Sequence, residues 1–225
     1  MISIAVDGPS GAGKSTLAKA LADRLGYIYA DTGALYRTIG LYMLEKKIET
    51  KDSEAVAESL KGLDIRLEHR DGSQRIYLNG NEIGEEIRAP EVSMAASDVS
   101  AHPTVRDFLL ELQRKIAEQS NVIMDGRDIG TVVLPNATLK IFLTADVKER
   151  AQRRLSQLEK QGIKADYSEV LSDMRRRDYN DTHRETAPLR KAHDAVLIDT
   201  TGMEKEQSME RLYSVVSERI NVGGR

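Results

Sequence analysis

Residues 8–15 read GPSGAGKS and follow directly on the apolar run ISIAV (2–6). A β-branched run ending in Asp7-Gly8 suits a buried strand that enters a turn. From Lys14 the pattern becomes helical: Leu17, Ala18, Leu21, Ala22 and Leu25 recur at three- and four-residue spacing. Gly26 then stops the helix from the position just past its end. The segment between strand and helix satisfies G-x-x-x-x-G-K-[ST] at every fixed position. Gly8, Gly11 and Gly13 let the backbone fold around an anion with its N–H groups inward, and the helix adds the positive end of its dipole. This loop is built for the phosphates of a nucleoside triphosphate, held by Gly8, Pro9, Ser10, Gly11, Ala12, Gly13, Lys14, Ser15 and Thr16. Lys14 reaches the β- and γ-phosphates, and Ser15 offers a ligand to Mg²⁺.

Behind the loop, strands alternate with helices. YIYAD (27–31), VIMD (122–125), LKIFLTA (139–145) and AVLIDTT (195–201) read as core strands. LYRTIGLYMLEKK (35–47), residues 92–119 with a break at His102-Pro103, the charged stretches 147–162 and 167–189, and a closing amphipathic segment read as helices. That order predicts an α/β fold of three layers around a central parallel sheet, with ligands beyond the carboxyl ends of the strands. One region departs from it. After the short helical stretch DSEAVAESLKGL, alternating residues flank Asp71-Gly72, with Asn79-Gly80 close behind, so roughly 62–90 reads as a hairpin insertion. The terminal NVGGR is expected to fray.

With 225 residues, of which 40% are hydrophobic, the chain can bury one large core. A net charge of −3, a pI of 5.9 and 4% aromatic residues argue against a nucleic-acid binder. Cysteine is absent, which excludes disulfides and thiolate metal sites. MISIAVDGPS has no basic leader segment, and no apolar run approaches the roughly 20 residues that cross a bilayer, so a cytoplasmic protein without a membrane partner is expected.

Three constellations narrow the activity. In DTGALYR (31–37), Asp31 ends a strand, Thr32 supplies a hydroxyl, and Gly33 opens a helix whose N–H groups can hold a second anion. Arg37, a turn later, can grip phosphate with its planar fork; a plain helix cap with a surface arginine would look similar. In MDGRDIGT (124–131), Asp125 can act on Mg²⁺ through water, Arg127 can neutralise phosphate, and Asp128 can accept from a base amino group. A turn held by an Arg–Asp pair is the alternative. The third is a concentration of arginines at 150, 153, 154, 175, 176, 177, 184 and 190, with Arg150, Arg153 and Arg154 expected on one helix face. Three or four of these are expected to stabilise a transferring phosphoryl group, the others to be solvated.

Taken in order, IAVDGPSGAGKST, DTGALYR, MDGRDIGT, RRRDYNDTHRETAPL and the hairpin insertion resemble the bacterial cytidylate kinases, from Ile4 to about Thr201. The resemblance implies a P-loop core (1–39, 91–149 and 185–225), a monophosphate-binding region (40–90) and an arginine-rich lid (150–184). It implies transfer of the γ-phosphoryl group of ATP to CMP or dCMP by a monomer that uses Mg²⁺. Ser97, Arg106 and Asp128 would then contact cytosine, and Asp181 and Arg177 the sugar. Thr32, Arg37, Arg127 and Arg184 would hold the monophosphate or the moving phosphoryl group, with Lys14, Arg127 and Arg184 as the catalytic cations. The nucleophile is already a phosphate oxygen, so no histidine base is expected among His69, His102, His183 and His193. Other small-molecule P-loop kinases, acting on UMP, AMP, dTMP or shikimate, are the nearest rivals. An N/T-K-x-D guanine motif is absent, which disfavours a GTPase switch.

Overall fold

The computed structural model describes residues 1–70 and 73–220. The Asp71-Gly72 turn and the expected fraying of NVGGR therefore lie outside the described residues. In chain order the elements are β1 (Ser3–Asp7), α1 (Lys14–Leu25), β2 (Ile28–Asp31), α2 (Thr32–Glu45), α3 (Ser53–Ser59), β3 (Ile65–Arg70), β4 (Ser73–Leu78) and β5 (Asn81–Ile83). There follow α4 (Pro90–Val99), α5 (Pro103–Gln119), β6 (Val122–Gly126), β7 (Leu139–Thr144), α6 (Val147–Lys160), α7 (Tyr167–His183), β8 (Val196–Asp199) and α8 (Lys205–Arg219).

The central sheet has the order β2-β6-β1-β7-β8, with every neighbouring pair parallel. Alternation along β1 builds three layers. Ile4 and Val6 pack with Leu17 and Leu21 of α1 and Leu212 and Val216 of α8. Ala5 faces the other side with Met124 and Val133, against Leu110 and Ile116 of α5. Pairing of Val6 with Asp125 and Asp7 with Gly126 sets the start of the glycine loop beside the MDGRD loop. Both therefore open at the carboxyl edge of the sheet.

A second sheet, β3-β4-β5, is antiparallel. Asn79 and Gly80 both have positive φ, as the tight primed turn between β4 and β5 requires. A hydrophobic cluster runs from Ala34 through Ile65, Ile76 and Val92 to Leu109, so this sheet shares its core with α2, α4 and α5, across the expected edge of the insertion near 90. Helices α6 and α7 pack on each other through Ala151, Leu158, Val170 and Met174.

Local signals explain most boundaries. Gly26, with φ 66°, ends α1, and Pro103 opens α5 at the expected break. Three expectations need correction. Helix α2 begins at Thr32, three residues early, because the Asp31 carboxylate accepts from Ala34 N at 2.9 Å. Helix α7 stops at His183: Arg184 is extended and Pro188 cannot continue a helix, so RETAPL is not helical. Strand β8 is only partly buried because it forms the sheet edge, leaving Leu197 54% exposed.

Candidate active site

The glycine loop is held from below. A Cβ on Gly8 would lie 1.9 Å from the Leu143 carbonyl oxygen, so only glycine lets the loop leave β1 this close to β7. Gly13 caps α1 with φ 91°, and the Lys14 ammonium donates to Pro9 O at 2.8 Å. Burial, followed by the Arg127 charge, pushes the Lys14 ammonium well down. A polyanion at this position would reverse that penalty.

Ser15 Oγ donates to Asp125 Oδ2 at 2.8 Å, and Tyr29 OH donates to Asp125 Oδ1 at 2.9 Å. Burial, then the Asp31 charge, pushes the Asp125 carboxyl up. A hydroxyl and a carboxylate side by side are hard oxygen donors and fit Mg²⁺, which takes few protein ligands beside water and phosphate. Among the described residues, no group of three or more His, Cys, Asp or Glu residues is arranged to hold a metal.

Asp7 ties this floor to the loop after β6. Its two oxygens accept from Ile129 N at 2.8 Å and Gly130 N at 2.7 Å, which fixes the turn that carries Arg127 and Asp128. Burial raises its carboxyl to about 6 in spite of those bonds.

The arginines divide into two sets. One is matched by carboxylates in an alternating chain. Arg106 donates to Asp128, and Arg184 lies 3.7 Å from Asp128 and 4.0 Å from Asp181. Arg127 Nε donates to Asp181 at 2.7 Å. Burial opposes the Asp181 charge, yet Arg127, Arg184 and Arg177 hold the carboxyl below the usual range. Ser100 is the backbone anchor, its carbonyl accepting from Arg106 at 3.1 Å and its hydroxyl from Arg184 at 3.3 Å. A cavity of about 370 Å³ opens beside this chain, lined by Ser97, Ser100, Asp181, Arg184 and the stacked rings of Tyr179 and His183.

The other set is poorly matched: of its three arginines only Arg37 has a carboxylate partner, Asp31 at 2.8 Å, among the described residues. Arg37, Arg154 and Arg177 line a cavity of about 130 Å³ with Ser10, Gly11 and Met174. Arg154 and Arg177 make no hydrogen bond or ion pair among the described residues, and the buried Arg37 Nε has no partner. Burial, then Arg127, with Arg154 and Arg37 contributing, lowers Arg177 to about 10. Like charges gathered at the mouth of a phosphate loop form an anion site.

Several expected residues take other roles here. The Ala34 N–H of α2 donates to the Asp31 carboxylate, which also pairs with Arg37 at 2.8 Å, so an internal anion sits at the helix start where a second phosphate site was expected. Thr32 is buried, and its hydroxyl donates to Asp125 O at 2.7 Å. Arg150, Arg153 and Arg154 share one side of α6 at three- and four-residue spacing, but their side chains part to different partners. Arg150 clamps Ser10 O at 2.9 Å and Asp178 at 2.6 Å, Arg153 reaches Thr200 O at 3.1 Å, and Arg154 enters the smaller cavity. Arg175, Arg176 and Arg190 are exposed, away from both cavities. Sequence reasoning passed over Asp7, Tyr29 and Asp178. A carboxylate ending a buried strand was the available signal for Asp7; Tyr29 and Asp178 matter through contacts made 96 and 28 residues away.

A parallel α/β sheet with a glycine loop under a set of arginines defines a P-loop phosphoryl-transfer enzyme. The sequence profile described as cytidylate kinase matches residues 4–218. The chain belongs to the cytidylate kinase family. It is 49% identical over 223 residues to a cytidylate kinase of Caldicellulosiruptor bescii, covering 97% of this chain and 99% of that one. It is 48% identical over 215 residues to the cytidylate kinase of Caldanaerobacter subterraneus subsp. tengcongensis, covering 96% and 94%. A crystal structure of an uncharacterised protein from Eubacterium ventriosum shares the fold, with a TM-score of 0.54 and 14% identity over 97% of this chain and 100% of that one.

Proposed function

We infer that this chain moves the γ-phosphoryl group of ATP onto the phosphate of CMP or dCMP. An acceptor phosphate oxygen forms the new bond to the γ-phosphorus as the bond to the β–γ bridging oxygen breaks, releasing ADP and CDP or dCDP. The observation that carries the reading is the set Arg37, Arg154 and Arg177, gathered over the tip of the glycine loop with only Arg37 paired to a carboxylate among the described residues. It supplies cations where two phosphorylated substrates would meet.

Residues 8–16 cradle the ATP phosphates, and Lys14 bridges toward the γ-group. Ser15, and Asp125 through water, would hold Mg²⁺, which would offset charge on the donor phosphates. Arg37, Arg127 and Arg184, joined by Arg154, hold the acceptor phosphate and the charge spread over the moving phosphoryl oxygens. Ser97, Arg106 and Asp128 read the base: a carboxylate accepts from the cytosine amino group, which uracil lacks. Asp181 takes the sugar, whereas Arg177, expected at the sugar, serves the phosphates with Arg37 and Arg154, and Thr32 ties α2 to the end of β6. The enzyme works as a cytoplasmic monomer on free nucleotides, without nucleic acid; among the described residues no helix is long and apolar enough to cross a membrane. The region 40–90, with its hairpin at about 62–90, and the arginine-bearing 150–184 act as the acceptor region and lid of the core.

A coupled ADP-release assay with Mg-ATP tests this, offering CMP, dCMP, UMP, AMP, dTMP or no acceptor. Fast release with CMP and dCMP is expected. Preference for another acceptor would overturn the base-reading residues, and equal release without any acceptor would overturn the acceptor site itself.

A further inference from the structure

Strand β2 has one neighbour in the central sheet, β6, so its other edge would leave backbone groups unpaired. Successive residues of a strand direct their N–H and C=O groups to opposite sides. Ile28 N donates to Asn121 O on the β6 side, so the groups of Tyr29 and Asp31 point outward. There they meet two side chains of the second sheet. Asp31 N donates to Gln74 Oε1 at 2.7 Å, and Gln74 Nε2 returns a bond to Asp31 O at 3.3 Å. His69 Nε2 donates to Tyr29 O at 2.7 Å. His69 and Gln74 are opposite one another across β3 and β4, so one cross-strand pair supplies all three bonds.

We propose that His69 and Gln74 form a clasp that completes the free edge of β2 and sets the Tyr29–Asp31 segment, making them positioning residues for the acceptor phosphate. The segment they hold controls both ends of the phosphate site. Asp31 pairs with Arg37 and caps α2, and Tyr29 orients Asp125 next to Ser15. Loosening the clasp lets Arg37 drift on the helix that Asp31 anchors. The hairpin thus contributes no group to the substrate, yet fixes where the acceptor-side arginine stands. This rests on the reading above that Arg37 faces the acceptor phosphate.

The test uses the full chain and two pairs of readouts. Gln74→Met keeps the side-chain volume and removes both bonds to Asp31. Amide exchange at Asp31, followed by NMR without nucleotide, is expected to quicken about tenfold, the loss of one protecting hydrogen bond. The KM for CMP is expected to rise about three- to tenfold while that for ATP stays within about twofold. His69→Leu should act in the same direction, and His69→Gln, whose amide can donate to Tyr29 O, should restore wild-type values; these two remain decisive where Gln74→Met does not fold. Unchanged Asp31 exchange in folded Gln74→Met overturns the clasp. Equal shifts in both KM values overturn its positioning role. Wild-type protein that does not turn over CMP overturns the functional reading instead, and the exchange comparison still decides the clasp.

Discussion

The two sets of cations in the site differ in what the protein gives them. Arg106, Arg184 and Arg127 alternate with Asp128 and Asp181, so each buried charge has an opposite neighbour. Arg37, Arg154 and Arg177 share one cavity in which only Arg37 has a carboxylate partner among the described residues, and burial and neighbouring cations disfavour the ionised forms of Arg154, Arg177 and the loop's Lys14. Removing one member of a matched buried pair strands its partner, whereas removing one of several like charges relieves repulsion. The first set is therefore locked in place by the fold before any substrate binds, and the second is held for phosphate at a cost to stability, the trade expected of a preorganised site.

The largest effect should come from Lys14→Ala on the phosphate side. Turnover with CMP is expected to fall by about 10³-fold or more, the scale for losing a preorganised cation aimed at developing charge, with the urea midpoint not lowered. A variant that kept a tenth of its activity would move Lys14 out of the catalytic set. Arg106→Met should act on the fold: Asp128 is left facing only Arg184 at 3.7 Å, and stability should drop by about 3–5 kcal/mol in urea unfolding. Arg177→Met should do the reverse. Its kcat/KM should fall about 10²-fold or more for a group that neutralises transition-state charge, while its urea midpoint rises above wild type. If both variants shifted the midpoint in the same direction, the division into two sets would be wrong.

Asp7 belongs to neither set and sharpens the contrast through pH. Its folded carboxyl titrates at about 6 against an ordinary 3.8. Below the ordinary value both folded and unfolded chains hold the proton, and no penalty exists. As pH rises between the two values the unfolded chain releases its proton first, so stability falls by about 2–3 kcal/mol from this group. Asp125, also raised, adds in the same direction, and Asp181, held low, opposes it. The informative quantity is therefore the difference between wild type and Asp7→Asn in urea unfolding from pH 4 to 6.5. The variant's curve should be flatter; parallel curves would mean that Asp7 titrates normally in the fold.

What could be read in the sequence was whatever is set locally. The glycine loop, the stop at Gly26 and the break at Pro103 each depend on residues within a turn of one another. The β2 to α2 junction was misplaced by three residues because a carboxylate at a strand end also caps a helix, and residue type alone does not rank the two roles. The arginines expose the deeper limit. A helical wheel puts Arg150 and Arg154 on one face, yet Arg150 is captured by Asp178 and Arg154 is not. Which arginine meets a carboxylate depends on how α6 packs against α7, and spacing along one helix carries no record of that. The clasp of His69 and Gln74 was hidden for the same reason: the pair is legible as a strand register, but the edge it covers is 40 residues upstream.

Thr32 gives the smallest effect and tests the boundary between the two regions. Its hydroxyl bonds Asp125 O at 2.7 Å within the buried floor, which makes it a tie between α2 and β6. Thr32→Val keeps the shape and removes the bond, so stability should fall by about 1 kcal/mol, with the KM for CMP changed by no more than about threefold. Thr32→Ser, which keeps the donor, should recover the lost stability. The opposite pattern, an unchanged urea midpoint with a tenfold or greater rise in KM for CMP, would mean that the hydroxyl leaves Asp125 for the acceptor phosphate when substrate binds. Thr32 would then join Arg37 and Arg177 among the groups that serve the ligand, and the line between fold and site would run one residue deeper into α2.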